Sequence, residues 1–281
     1  MNTKGEYRLA ALDMDGTLLN SDHETTDYTR DVIRRAAEAG KTAAISTGRC
    51  LSELWEHFEM LPGIRYVICE NVACVYDIFE KKIIHHISFS DAQVMKVFDI
   101  IKGYDLKPQF FRNNQSVMQC ENVEEFKKYH IADFTEVFVN TAVFVKNLEE
   151  YYALEKGSIE KFNLYTANEP DKIVIWDTLK QELPELILSD SIGVGIEVSP
   201  AGATKAVGLE KLCEHLGIPV EQSMAVGDAS NDLEIIRAAG LSVAMGNATE
   251  AVREEADVVT EDCDHDGAAK AIQRYMLGEN I

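Results

Sequence analysis

The sequence predicts an α/β fold: a doubly wound parallel sheet interrupted by an inserted α+β unit. Three observations carry this. The opening third alternates short apolar runs with helical spacing, the closing third repeats that alternation, and the stretch between them does neither.

In the opening third, Arg8–Leu12 is an apolar run that ends in Asp13. Thr26–Ala39 has helical spacing through Val32, Ile33, Ala36 and Ala37, with Gly40 as the stop. Thr42–Ile45 reads as a second strand, Leu51–Leu61 as a helix closed by Pro62-Gly63, and Tyr66–Cys69 as a third strand. Strand, helix, strand, helix, strand with short links implies right-handed crossovers and a sheet covered on both faces.

The closing third reads as strand Ile192–Val198, helix Lys205–Leu216 with Gly217 after it, and strand Ser223–Val226. Helix Asn231–Ala239, strand Leu241–Met245, helix Glu250–Glu255, strand Asp257–Val259 and helix Ala268–Met276 follow. In the middle, Val75–Tyr76 and Lys82–Ile87 read as a hairpin and Asp91–Lys102 as an amphipathic helix. Gln109–Arg112 and Val117–Cys120 flank a polar turn. Helices are expected at Val123–His130 and Leu148–Lys161, and strands at Phe162–Tyr165 and Lys172–Trp176. Thr47 and Lys205 lie 158 positions apart, far more than the ~30 residues of one βαβ unit. This places a core at 1–82 and 190–281 and an inserted domain at 83–189.

Composition narrows the function. The 281 residues are 46% hydrophobic, an ordinary globular balance. The net charge of −21 argues against a nucleic-acid partner. No run approaches the ~20 apolar residues of a membrane span. The start of the chain, MNTKGEYRLAALDMDG, has no apolar leader. The six cysteines form no CxxC pair and read as reduced, mostly buried thiols. A cytoplasmic protein is expected, with no protein partner evident.

Four polar constellations follow apolar strands or open helices. Asp13-Met14-Asp15-Gly16-Thr17-Leu18 puts two carboxylates at a strand's carboxyl end, where open α/β sheets bind ligands. Carboxylates so close repel unless one is protonated or a hard cation such as Mg²⁺ lies between them. Ser46-Thr47-Gly48-Arg49 offers a hydroxyl and backbone N–H groups to an anion. Gly227-Asp228-Ala229-Ser230-Asn231-Asp232 supplies another strand-end carboxylate and an Asx-rich helix start. Lys205 opens a helix and can neutralise a phosphoryl oxygen and a carboxylate. Each alone has an ordinary structural reading as turn, cap or solvated side chain; the combination is specific.

The words DMDGTLL, STGR, GATKAVGLEKL and GDASNDLEII resemble those of the haloacid dehalogenase-like hydrolases, in particular their Cof-type, class IIB sugar-phosphatase-like group. CENVACVYD resembles a further stretch, with Val72 where these proteins usually have glycine, which bears on any role of Asn71. The resemblance implies a Rossmann-like core with a C2B-type cap, and Mg²⁺-dependent hydrolysis of small phosphorylated metabolites. It implies Asp13 as nucleophile and Asp15 as general acid and base. Thr47, Gly48, Lys205 and Asn231 would bind phosphate. Asp13, Asp15 through its carbonyl, and Asp228 would hold Mg²⁺, with Asp232 in support. It implies that the cap selects substrate, with Phe110, Phe111 and Arg112-Asn113-Asn114-Gln115 as candidate contacts. A phosphomutase or a non-catalytic phosphate sensor on the same scaffold are the alternatives. His85 and His86 alternate along a strand, so at most one faces a site. They read as ordinary surface or core histidines, and Trp55 and Trp176 as packing residues.

Overall fold

The computed structural model describes residues 7–69, 74–113 and 115–280; Asn71, Val72 and Asn114 lie outside them. The chain divides into two compact units. One comprises residues 1–49, 54–85 and 204–281, the other 50–53 and 86–203.

The first unit is built on an eight-stranded sheet. Its strands are β1 (Leu9–Leu12), β2 (Thr42–Ser46), β3 (Ile64–Cys69), β4 (Cys74–Asp77), β5 (Lys82–His86), β12 (Ser223–Gly227), β13 (Leu241–Ala244) and β14 (Val258–Val259). The order is β14-β13-β12-β1-β2-β3-β4-β5. The strands from β14 to β3 are parallel, and β4 turns antiparallel against β3. Every residue of β1 is buried, as a central parallel strand covered on both faces requires. The chain leaves β1 toward β2, whereas β12 and β13 extend the sheet the other way. The boundary between β1 and β12 is therefore the switch point, where such sheets open a crevice at their carboxyl ends.

Local signals set the flanking helices. In α1 (Asp27–Glu38), the Thr26 hydroxyl caps the Thr29 N–H, and Val32, Ile33 and Ala36 are buried. The helix α7 (Lys205–Leu216) has Thr204 as its N-cap and left-handed Gly217 just beyond its last turn, as read from sequence. The single helix expected at Leu51–Leu61 is instead a 3₁₀ turn, Leu51–Glu53, followed by α2 (Trp55–Met60).

The second unit is a six-stranded sheet in the order β10-β11-β9-β6-β7-β8. These are β6 (Leu106–Arg112), β7 (Gln115–Gln119), β8 (Ala142–Val145), β9 (Ile159–Thr166), β10 (Ile187–Ser191) and β11 (Gly195–Ser199). All neighbours are antiparallel except β7 and β8. One face carries Phe110, Val117, Phe162, Leu164, Ile196 and Val198 into a core with α3 (Asp91–Ile101), α5 (Leu148–Leu154) and α6 (Glu169–Glu182). The alternate residues Gln109, Ser116, Lys161, Asn163, Tyr165 and Glu197 form a polar network on the other face.

Three sequence readings are corrected here. Lys172–Trp176, an apolar run read as a strand, lies inside α6. The Asn168 side chain accepts from Asp171 N–H, Pro170 stands in the first turn, and Ile175 and Leu179 bury one face. The helix expected over Leu148–Lys161 stops at Leu154, and Ile159 already begins β9. The strand placed in the core at Ile192–Val198 is β11, which pairs with β9 and β10 of the second sheet. The second unit thus runs to Ala203, beyond the boundary at 189. All six thiols are free, and five are buried. No helix among the described residues is long and apolar enough to cross a membrane.

Candidate active site

Asp13 follows β1 directly and is buried. Its N–H donates to Val226 O of the neighbouring strand at 2.9 Å. The chain then doubles back: Leu18 N–H reaches Asp13 O and Leu19 N–H reaches Met14 O. Gly16 turns this loop with a φ of +74°, and a Cβ there would lie 2.6 Å from Asp228 Oδ2. Both the left-handed backbone and the close approach require glycine.

Lys205 reaches the same point from α7. It is the first residue of a helix, where the dipole disfavours a cation, and it is buried. Two carboxylates hold it there. Its Nζ donates to Asp13 Oδ1 and to Asp232 Oδ1, each at 2.6 Å. Burial works against the ammonium, but Asp13 and Asp232 more than offset it and raise the pKa above the ordinary lysine value. Asp232 is itself fixed, because its Oδ2 accepts from the N–H groups of Asp228 and Ala229 at 3.0 and 3.1 Å.

Asp228 follows β12 and is half-buried. Thr17 donates its hydroxyl to Oδ1 at 3.2 Å, and Asn247 Nδ2 lies 3.3 Å from Oδ2. Burial first, then the nearby Asp232, push the Asp228 carboxyl up to about 6. Burial also raises Asp13, to about 8, against the attraction of Lys205. Oxygens of Asp13, Asp228 and Asp232 lie within 4.8 Å of one another, and one ammonium stands among three carboxylates. Asp232 already serves Lys205 and two backbone N–H groups, whereas the carboxylates of Asp13 and Asp228 keep lone pairs to offer a cation. This donor set fits a hard divalent cation.

Asp15 is exposed and held by Arg49, whose Nε and Nη2 donate to its two oxygens at 2.9 and 2.5 Å. Arg49 Nη1 also lies 3.4 Å from His57 Nε2. Thr47 is buried just past β2, its N–H donates to Ile68 O at 2.8 Å, and its hydroxyl accepts from Arg49 N–H at 3.2 Å. Asn231 is exposed in the 3₁₀ turn Ser230–Asp232 beyond β12.

The structure thus joins Asp13, Lys205, Asp228 and Asp232 by direct contact or close approach. Asp15, Thr47, Gly48 and Asn231 reach the same end of the sheet by position after β1, β2 and β12. Sequence reasoning missed the Arg49 clamp on Asp15, the Thr17 hydroxyl on Asp228, and Asn247. A polar Gly-Asn step just past β13 was the signal for the last. Among the expected substrate contacts, Phe110 belongs to the apolar core of the second unit and Phe111 is buried beneath the Lys161 ammonium. Neither presents an open surface.

A family model described as haloacid dehalogenase-like hydrolase matches residues 10–272. The chain is 32% identical over 279 residues to the 5-amino-6-(5-phospho-D-ribitylamino)uracil phosphatase YcsE of Bacillus subtilis (strain 168), covering 97% of each chain. Its fold matches a haloacid dehalogenase-like hydrolase from B. subtilis with a TM-score of 0.83 and 26% identity, over 95% of this chain and 99% of that one. It matches the HAD subclass IIB sugar phosphatase BT4131 with a TM-score of 0.77 and 25% identity, over 95% and 98%. A buried aspartate–lysine–aspartate array at the switch point of such a sheet fits these matches, and the chain belongs to the haloacid dehalogenase-like hydrolases, in their Cof-type, class IIB branch.

Proposed function

We propose that this enzyme is a cytoplasmic, Mg²⁺-dependent phosphatase that hydrolyses small phosphomonoesters through an aspartyl-phosphate on Asp13. The observation that carries the reading is the buried Lys205 ammonium, 2.6 Å from both Asp13 and Asp232. It fixes one oxygen of Asp13 and neutralises charge where a phosphoryl group would arrive.

An Asp13 oxygen attacks phosphorus, and the bond to the leaving oxygen breaks as Asp15 gives that oxygen a proton. Asp15 then takes a proton from water. The water oxygen attacks phosphorus, releasing phosphate and the Asp13 carboxylate. Lys205, the Thr47 hydroxyl, the Gly48 N–H and Asn231 hold the phosphoryl oxygens, and Asp232 keeps Lys205 in place. Asp13, the Asp15 carbonyl and Asp228 would hold Mg²⁺, which when bound would supply positive charge to the site. Phosphoryl transfer depends chiefly on such positioning and neutralisation.

The second unit is the cap that selects the substrate. The names of YcsE and BT4131 support small phosphorylated metabolites, sugar phosphates or phosphorylated cofactor precursors, as the class. The test is phosphate release from a panel of such esters, with and without Mg²⁺, beside Asp13→Asn. Mg²⁺-dependent release that vanishes in the variant is expected. Isomerised sugar phosphate in place of free phosphate, or undiminished release by Asp13→Asn, overturns the reading.

A further inference from the structure

Asn247 stands in the loop between β13 and α9 (Glu250–Glu255). That loop is tied to the one after β12, because Met245 N–H donates to Gly227 O and Thr249 N–H to Asp228 O, at 3.0 and 2.9 Å. Behind it, Gly246 N–H donates to Glu261 O, and a Cβ on Gly246 would lie 2.7 Å from Asp262 N. The loop is therefore anchored on both sides.

The amide of Asn247 has a defined orientation. Cys263 N–H donates to its Oδ1 at 3.0 Å. Its Nδ2 donates to the Gly16 carbonyl at 2.9 Å and lies 3.3 Å from Asp228 Oδ2. The other oxygen of Asp228 accepts from Thr17. The carboxylate is thus held at both oxygens, by two neutral donors that add no charge to compete with a cation. The amide also links the loop after β1 to the carboxylate after β12.

We infer that Asn247 is a positioning residue for the divalent-cation site. It fixes the plane of the Asp228 carboxylate and ties the Asp13–Leu19 loop to it. The inference rests on the cation of the proposed function. Mg²⁺ demands near-ideal octahedral geometry, whereas Ca²⁺ accepts irregular sets of oxygens. Loss of the amide therefore penalises Mg²⁺ more than Ca²⁺. Asn247 is exposed, so water can replace its bonds to Gly16 and Cys263 and the fold survives.

The experiment is calorimetric titration of Mg²⁺ and Ca²⁺ into the wild type and Asn247→Ala, with melting of both in chelator. Removal of groups that orient metal ligands typically weakens affinity about 10–100-fold. A Mg²⁺ loss in that range is expected, with a smaller Ca²⁺ loss and an unchanged metal-free melting temperature. Equal Mg²⁺ affinity in the two proteins overturns the inference. So does a lowered metal-free melting temperature with wild-type affinity, the mark of a purely structural role. A wild type that binds no divalent ion refutes the underlying cation reading and is seen before any variant is made. Asn247→Ser serves with the same readouts if the alanine variant does not fold.

Discussion

Lys205 and Asp13, 192 positions apart in the chain, meet at 2.6 Å with both side chains buried. Among the described residues, Lys205 is the cation paired with both Asp13 and Asp232. Lys205→Met leaves these carboxylates buried without their cation, and breaking such an array costs about 3–5 kcal/mol. Urea unfolding should show a loss of that size, and turnover should fall by about 10²–10³-fold, as on removal of one electrostatic donor.

Asp15 contrasts with Asp13. It and Arg49 keep side-chain exposures of 48% and 28%, so their ion pair contributes less than about 1 kcal/mol. Asp15→Asn should therefore melt close to the wild type. Its turnover should drop by about 10²–10⁴-fold, the usual range for a lost general acid and base. A large drop in stability, or near-native rates, would count against the assigned role.

Gly227 sets the spacing behind the site. A Cβ there would lie 2.4 Å from Asp232 Cγ, the carboxyl that holds Lys205. Gly227→Ala must displace Asp232, at about 1–3 kcal/mol of overpacking, and should reduce turnover together with stability. Alanine at Gly202, where a Cβ meets nothing within 4 Å, strains only a left-handed backbone and should leave turnover unchanged.

In the second unit, Lys161 pairs with Glu197 at 3.0 Å and is 2% exposed at its side chain. Lys161→Met alone should destabilise by up to about 3–5 kcal/mol, because it removes the ammonium that Glu197 meets in the polar layer. Adding Glu197→Gln should recover much of the loss, and a double-mutant cycle of unfolding free energies measures the coupling.

The sequence was legible where local chemistry decides structure. Thr204 and Gly217 delimit α7 because a hydroxyl cap and a left-handed glycine act within one turn. The strand-end aspartates were visible because the parallel core buries its strands and puts polar residues at their ends. Lys172–Trp176 misled because Ile173, Val174, Ile175 and Trp176 form an apolar run of strand length. The Asn168 cap and Pro170 before it were the better guide. β11 misled because a strand does not state which sheet it joins, and its partners β9 and β10 decide that. Asn247 escaped because its partner Gly16 is 231 positions away, and no spacing rule connects them.

In the proposed function, Asp13 carries the phosphoryl group during turnover. Borohydride quenching of the enzyme with a turned-over ester reduces an acyl-phosphate to the alcohol, and peptide mass spectrometry locates the change. Conversion of Asp13 to homoserine, only when substrate is present, is the expected result. Continued turnover with Asp13 unmodified, or the modification at another carboxylate, would rule out Asp13 as the nucleophile.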